Sequence, residues 1–181
     1  MRWILPVYSL EELARVVHKA KAAGKVVGLC HGCFDILHIG HVRHLTAAKE
    51  QCDLLFVSVT GDRFINKGPD RPIIPQEERA EVLDSLRVVD GVVINQAPTS
   101  VEMLTLVQPN YYFKGQEYMA STEASFLNEK AAGAQVGVEV RHTFEKVCSS
   151  SKIIYAIRKP APSDIEAAVS GHFPAAEPPC R

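Results

Sequence analysis

Short apolar runs alternate with segments of helical spacing along most of this chain, and no other sequence feature restricts its fold as strongly. Val26-Val27-Gly28-Leu29-Cys30 has the continuous apolar character of a parallel strand buried on both faces. Ahead of it, Ser9-Leu10-Glu11-Glu12 reads as a capping box, followed by Leu13, Val16, Val17 and Ala20 on one helix face and a stop at Gly24. Behind it, Val42, Leu45 and Ala48 recur at helical spacing. The same beat predicts strands over 53–60, 92–95, 111–114 and 136–140. Helices are expected over 75–87, 99–108 and 121–132, the last ending at Gly133, and around Ile153, Ile154 and Ile157. Strands alternating with helices imply right-handed crossovers, and hence a Rossmann-like three-layer α/β sandwich with a parallel sheet of about five strands. In that architecture every strand-to-helix loop opens on one edge of the sheet, where ligands bind.

Length and composition fit a single domain: 181 residues, 46% of them hydrophobic, supply a sizeable core. The expected organisation is an N-terminal capping helix over 1–24, the main domain over 25–158 and a Pro-rich flexible tail or linker over 159–181. Five cysteines, an odd number scattered through apparent strands and helices, argue for a reducing compartment. The apolar patch from Trp3 to Val7 is interrupted by Pro6 and is too short for a signal-peptide core or a membrane span, so a cytoplasmic location is expected. A net charge of -1 offers no general attraction to nucleic acid.

The chemistry is expected in Gly32-Cys33-Phe34-Asp35-Ile36-Leu37-His38-Ile39-Gly40-His41, where the first strand gives way to a helix. Free backbone N–H groups and the positive end of the helix dipole attract anions there. The two imidazoles, three residues apart, can converge on one phosphoryl group, while Gly40 lets the backbone approach it closely. Two plainer readings exist. His38 and His41 would otherwise be ordinary surface or interior histidines. Alternatively, Cys30-x-x-Cys33 with the neighbouring histidines would form a metal knuckle or redox pair, but the chain has no second ligand pair, and Cys52, Cys148 and Cys180 are scattered.

The shared sheet edge gathers further polar residues. His31, His38 and His41 come from the first loop, Asp62, Lys67 and Arg71 from the second, Lys114 and Gln116 from the fourth, and Ser149, Ser150, Ser151 and Lys152 from the fifth. Arg79 is expected to turn its guanidinium toward the same edge, where its fork suits phosphate oxygens. Each has a bland counterpart: solvated charges in the turn-rich Lys67-Gly68-Pro69-Asp70-Arg71-Pro72 segment, surface ion pairs around Arg79, and simple helix capping by the serines.

With these residues assembled, the chain resembles the cytidylyltransferase-like branch of the nucleotidyltransferases from about Lys25 to Arg158. The resemblance rests on the Gly32–His41 run, Lys67-Gly68-Pro69 with Arg71-Pro72, Glu78-Arg79, Lys114-Gly115 and Cys148-Ser149-Ser150-Ser151-Lys152. It implies Mg²⁺-assisted attack by a phosphate or phosphonate oxygen on the α-phosphorus of a nucleoside triphosphate, with release of pyrophosphate. It also implies catalytic roles for His38, His41, Lys67 and Arg79, and nucleotide contacts from Gly32, Cys33, Phe34, Gly40, Lys114, Gly115, Ser149, Ser150 and Ser151. It assigns substrate contacts to Asp35, Arg71 and Gln116, with Asp35 expected to brace the first loop and not to perform chemistry. A homodimer is open to such a chain, although no stretch marks an interface.

Within that branch the chain is most similar to the bacterial heptose-1-phosphate adenylyltransferases. They share the Lys-Gly-x-x-Arg-Pro loop and a run like Phe144-Glu145-Lys146-Val147-Cys148-Ser149, which favours ATP over CTP. Where they commonly read Lys-Gly-Gly-Asp-Tyr, this chain reads Lys114-Gly115-Gln116-Glu117-Tyr118, which leaves the acceptor open and keeps a cytidylyltransferase as the alternative. The remaining alternative is a nucleotide-binding module without turnover. Class I aminoacyl-tRNA synthetases share the His-x-Gly-His signature, but 181 residues leave no room for a tRNA-binding domain as well.

Overall fold

The capping box forms as the sequence requires. Ser9 Oγ accepts from the Glu12 N–H while the Glu12 carboxylate accepts from the Ser9 N–H, and helix α1 (Leu10–Ala22) begins there. The structure, a computed structural model, describes residues 7–68, 70–145 and 150–158. The described residues up to Glu145 belong to one compact unit, and α6 (Ser150–Arg158) belongs to a second.

The first unit is built on six parallel strands. They are β1 (Val7–Tyr8), β2 (Val27–Gly32), β3 (Leu54–Thr60), β4 (Gly91–Asn95), β5 (Tyr111–Gly115) and β6 (Glu139–Thr143), in the order β1-β4-β3-β2-β5-β6. The chain steps outward from β2 through β3 to β4, then returns to place β5 on the other side of β2. The gap between the ends of β2 and β5 is therefore the topological switch point.

Alternation along each strand divides the core in two. Leu29, Phe56 and Tyr112 face α1 and α4 (Val101–Val107), whose Leu13, Val17, Met103, Leu104 and Val107 are buried against them. Cys30, Val57, Val59 and Phe113 face α2 (Ile39–Lys49) and α3 (Gln76–Asp84) through Leu45, Ala48, Ala80 and Leu83. With both faces covered, the strands read as unbroken apolar runs.

The sheet has one strand more than expected, because Val7 and Tyr8 add to β4 at its edge. That strand is only two residues long and carries no periodic signal, but the Tyr8 ring packs edge-on to Phe56 at 6.1 Å. Three elements also differ in their bounds. Helix α5 (Ala124–Gln135) runs through Gly133, which packs on Val138, and the chain turns at Gly137 in the left-handed region at φ 77°. The last strand is correspondingly displaced to Glu139–Thr143. Helix α3 stops at Asp84, short of Arg87.

Candidate active site

The loop from β2 to α2 is held in a constrained shape. Phe34 lies in the left-handed region at φ 50°, costly for a residue with a side chain, and its buried ring sits against Gly32 and edge-on to His41 at 5.1 Å. A Cβ on Gly32 would come within 3.1 Å of the Phe34 ring, so glycine here makes room for the phenyl group that supports His41.

His38 is the N-cap of α2. Its Nδ1 accepts the Gly40 N–H at 3.1 Å, so the proton of the neutral ring sits on Nε2, which is thereby a donor. The His38 and His41 rings stack at 3.8 Å with 17° between their planes. Burial, followed by the charges of His38, His44 and Lys67, pushes the His41 pKa down to about 3, and burial also lowers that of His38. Both rings are neutral near pH 7 and offer N–H donors without bringing cationic charge. Buried polar atoms without a hydrogen-bond partner among the described residues are few: His38 Nε2, His41 Nδ1 and Arg71 Nη2. Two of the three belong to this pair.

Three residues expected at the site, Asp35, Arg79 and Lys114, are held by the protein itself. Asp35, 2% exposed, accepts from the Arg71 guanidinium and from the Ile73 and Ile74 N–H groups at 2.8 and 3.0 Å. Burial alone would raise its pKa, but these hydrogen bonds outweigh it and hold the carboxyl below its ordinary range. Asp35 therefore braces the first loop against the second, and its assignment to substrate is corrected. Arg79 is also 2% exposed. It donates to the carbonyls of Ile74 (2.9 Å), Cys33 and Thr60 (2.9 Å) and to Asp62 Oδ1 (2.5 Å). Its fork ties together the first loop, the end of β3 and the start of α3, and is not turned toward a phosphate.

Lys114 ends β5 but is buried as well. Its ammonium lies 3.2 Å from Glu129 Oε2 and over the rings of Tyr112, Tyr118 and Phe126 at 4.8, 4.8 and 5.7 Å. Glu129 also accepts from the Ser100 N–H at 3.0 Å and the Tyr112 hydroxyl at 2.9 Å. Lys114 thus reaches the site through its field: after burial itself, its charge is the next cause that lowers His31 and His44, each to about 4. Gln116, exposed at the end of β5, donates one amide N–H to the Glu145 carbonyl at 3.2 Å.

The Lys67 side chain is exposed on the second loop, and its charge is among the causes that lower the His41 pKa. Of the fifth-loop serines, Ser149 and the side chain of Ser151 lie outside the described residues, while Ser150 begins α6 in the second unit. Cys30 is buried in β2, where desolvation raises its pKa. Among the described residues no group of three or more His, Cys, Asp or Glu side chains is placed to hold a metal ion.

One contributor escaped the sequence reading, and Glu117, singled out there as a departure from the heptose enzymes, takes a definite place. Glu129 stands three positions after buried Phe126 on the inner face of α5, and a charge at a core position was the available signal. Glu117 folds back over Gly115, so that a Cβ there would meet its Oε2 at 2.2 Å. A carboxylate thus lies on the end of β5 at the switch point, and it depends on a glycine at 115.

The family model described as cytidylyltransferase-like matches residues 29–157. Similar proteins include the bifunctional protein HldE of Vibrio parahaemolyticus, 40% identical over 154 residues that make up 84% of this chain and 32% of the relative. The HldE of Photobacterium profundum is 40% identical over 149 residues, 81% of this chain and 31% of the relative. The chain thus spans about a third of the length of these relatives. A solved lipopolysaccharide core biosynthesis protein from Thermoplasma volcanium shares the fold, with a TM-score of 0.56 and 24% identity over 70% of this chain and 100% of the neighbour. The matched segment begins at β2 and includes the stacked His38–His41 pair and every strand-end loop of the switch point, and the chain belongs to the cytidylyltransferase-like family.

Proposed function

We propose that this chain transfers the nucleoside monophosphate group of a nucleoside triphosphate, ATP in preference to CTP, to the phosphate of a small sugar or polyol phosphate. The observation that carries this reading is the neutral, stacked His38–His41 pair at the N-terminus of α2, with one buried nitrogen on each ring still without a partner. Helix N-terminus and imidazoles together form a donor set for phosphoryl oxygens.

In this mechanism the acceptor's phosphate oxygen attacks the α-phosphorus, the bond from that phosphorus to the bridging oxygen of the β-phosphate breaks, and pyrophosphate leaves with the bonding electrons. Negative charge grows on the α-phosphoryl oxygens and on the leaving group. His38 Nε2–H and a His41 N–H donate to the former, and Lys67 neutralises the latter. The family resemblance implies Mg²⁺, a hard cation that triphosphate oxygens hold themselves and that adds charge neutralisation when bound. The nitrogen donors of His38, His41 and Lys67 suit the phosphates and not the metal, so the metal is assigned to the nucleotide.

The preference for ATP rests on the resemblance to heptose-1-phosphate adenylyltransferases in the Lys67–Pro72 loop and the 144–149 run, and on similarity to relatives named as bifunctional HldE. CTP is the second reading, favoured by the departures at Gln116 and Glu117. Calorimetric titration of the purified chain with each nucleotide and Mg²⁺ separates them. Selective ATP binding supports the adenylyltransferase reading and directs the acceptor screen to sugar-1-phosphates. Selective CTP binding overturns it in favour of the cytidylyltransferase.

A further inference from the structure

His44 carries a further imidazole on α2, three residues after His41, and the mechanism above gives it no part. Residues three apart share a helix face, so it stands one turn behind the stacked pair. Its Nδ1 lies 2.6 Å from the hydroxyl oxygen of Thr143, the buried residue that ends β6. Burial, followed by the charge of Lys114, keeps the ring neutral near pH 7, so imidazole and hydroxyl form a hydrogen bond that needs no charge on either side.

The path of this bond gives it a role beyond packing. Helix α2 leaves the sheet from the end of β2, whereas β6 lies two strands away, on the far side of β5. His44 and Thr143 therefore join one side of the switch point to the other. The far side is already tied together: Thr143 is in register with Gly115, His142 Nδ1 lies 3.2 Å from the Gly115 carbonyl oxygen, and Gln116 donates to the Glu145 carbonyl. On the near side, the Phe34 ring supports His41 from within the same loop. Each wall is stiffened by itself, and the His44–Thr143 bond sets one against the other. A displacement of about 1 Å in a group that holds a reacting atom can cost roughly 100-fold in rate, so a bond that adds little to stability can matter much to turnover.

We propose that His44 is a positioning residue: bonded to Thr143, it fixes α2 across the switch point and so sets how far the His38–His41 donors stand from a reactant held at the ends of β5 and β6. The assignment rests on the nucleotidyltransferase reading above and adds to it the contact that spaces the two walls of the site.

The test is pyrophosphate release by the full chain at saturating ATP, or CTP where that is the nucleotide bound, with Mg²⁺ and the sugar-1-phosphate that the wild type uses fastest. Thr143→Val removes the hydroxyl, Thr143→Ser keeps it, and His44→Phe keeps a ring without its nitrogens. The expected result is a kcat about tenfold lower in Thr143→Val and His44→Phe, with KM for the nucleotide within about twofold of wild type. The double variant is expected to be no slower than the slower single, and Thr143→Ser to stay within about twofold of the wild-type kcat. Urea unfolding identifies the folded variants, and Thr143→Val against Thr143→Ser provides the reading if His44→Phe does not fold. An unchanged kcat in the folded variants, an equal loss in Thr143→Ser and Thr143→Val, or losses that multiply in the double variant overturn the positioning role alone. A wild-type chain that releases no pyrophosphate with either nucleotide and any acceptor overturns both this role and the proposed function.

Discussion

Individual side chains divide into those that face a reactant and those that hold them in place. Replacing His38 or His41 with Ala removes one donor from the developing charge and is expected to lower the rate of pyrophosphate release by roughly 10²–10³-fold while the fold persists. Unchanged rates in both variants contradict the assignment. Arg79 belongs to the second group. Arg79→Ala deprives the Cys33 and Thr60 carbonyls and the Asp62 carboxylate of a buried donor, and is expected to cost about 3 kcal/mol or more of stability, read as a lower midpoint of urea unfolding. A midpoint at the wild-type value with a lost nucleotide affinity returns Arg79 to the phosphate. Arg79 was legible as a residue near the strand-end loops, because position in an α/β fold follows from strand order. The sequence was silent on how its guanidinium is occupied, since a carbonyl partner such as that of Cys33, 46 residues away, leaves no local pattern.

At the scale of elements, the join between β5 and α5 is decided by one buried ion pair. Lys114→Met leaves the buried Glu129 carboxylate without its ion pair, and Glu129→Gln leaves the Lys114 ammonium without one among three aromatic rings; each is expected to lose about 3–5 kcal/mol. The double variant is expected to recover part of that loss, because no isolated charge remains buried. A double variant as unstable as the sum of the singles contradicts the pairing, and urea unfolding of all four proteins measures it. Strands β2 to β5 were legible from their apolar runs, since burial on both faces leaves little choice of residue. The three-residue displacement of β6 was not. Gly133 resembles a helix stop, yet it serves packing against Val138, and the true turn is Gly137, which the run of valines had hidden inside an expected strand.

For the molecule as a whole, neutral buried histidines set the response to acid. His31 and His44 resist protonation down to about pH 4 and His41 to about 3, whereas in the unfolded chain each takes its proton near 6.5. Their contribution is complete above pH 6.5 and is lost as pH falls from there toward 4, because the unfolded chain binds more protons throughout that window. Stability from urea unfolding is therefore expected to be level just above pH 6.5 and to decline between 6.5 and 4. Depressed carboxylates such as Asp35 add to the decline only at lower pH. A curve that stays level down to pH 4 contradicts neutral burial. The chain spans about a third of the length of relatives named as bifunctional, and the proposed transfer reaction concerns this α/β unit. The measurement that tests this most directly is pyrophosphate release from ATP with Mg²⁺ and a panel of sugar-1-phosphates, run beside the His38→Ala, His41→Ala double variant and a parallel series with CTP. The account predicts release that depends on both an acceptor and the two imidazoles, and is faster with ATP. Acceptor-dependent release that survives the double variant, or no release with either nucleotide, contradicts it.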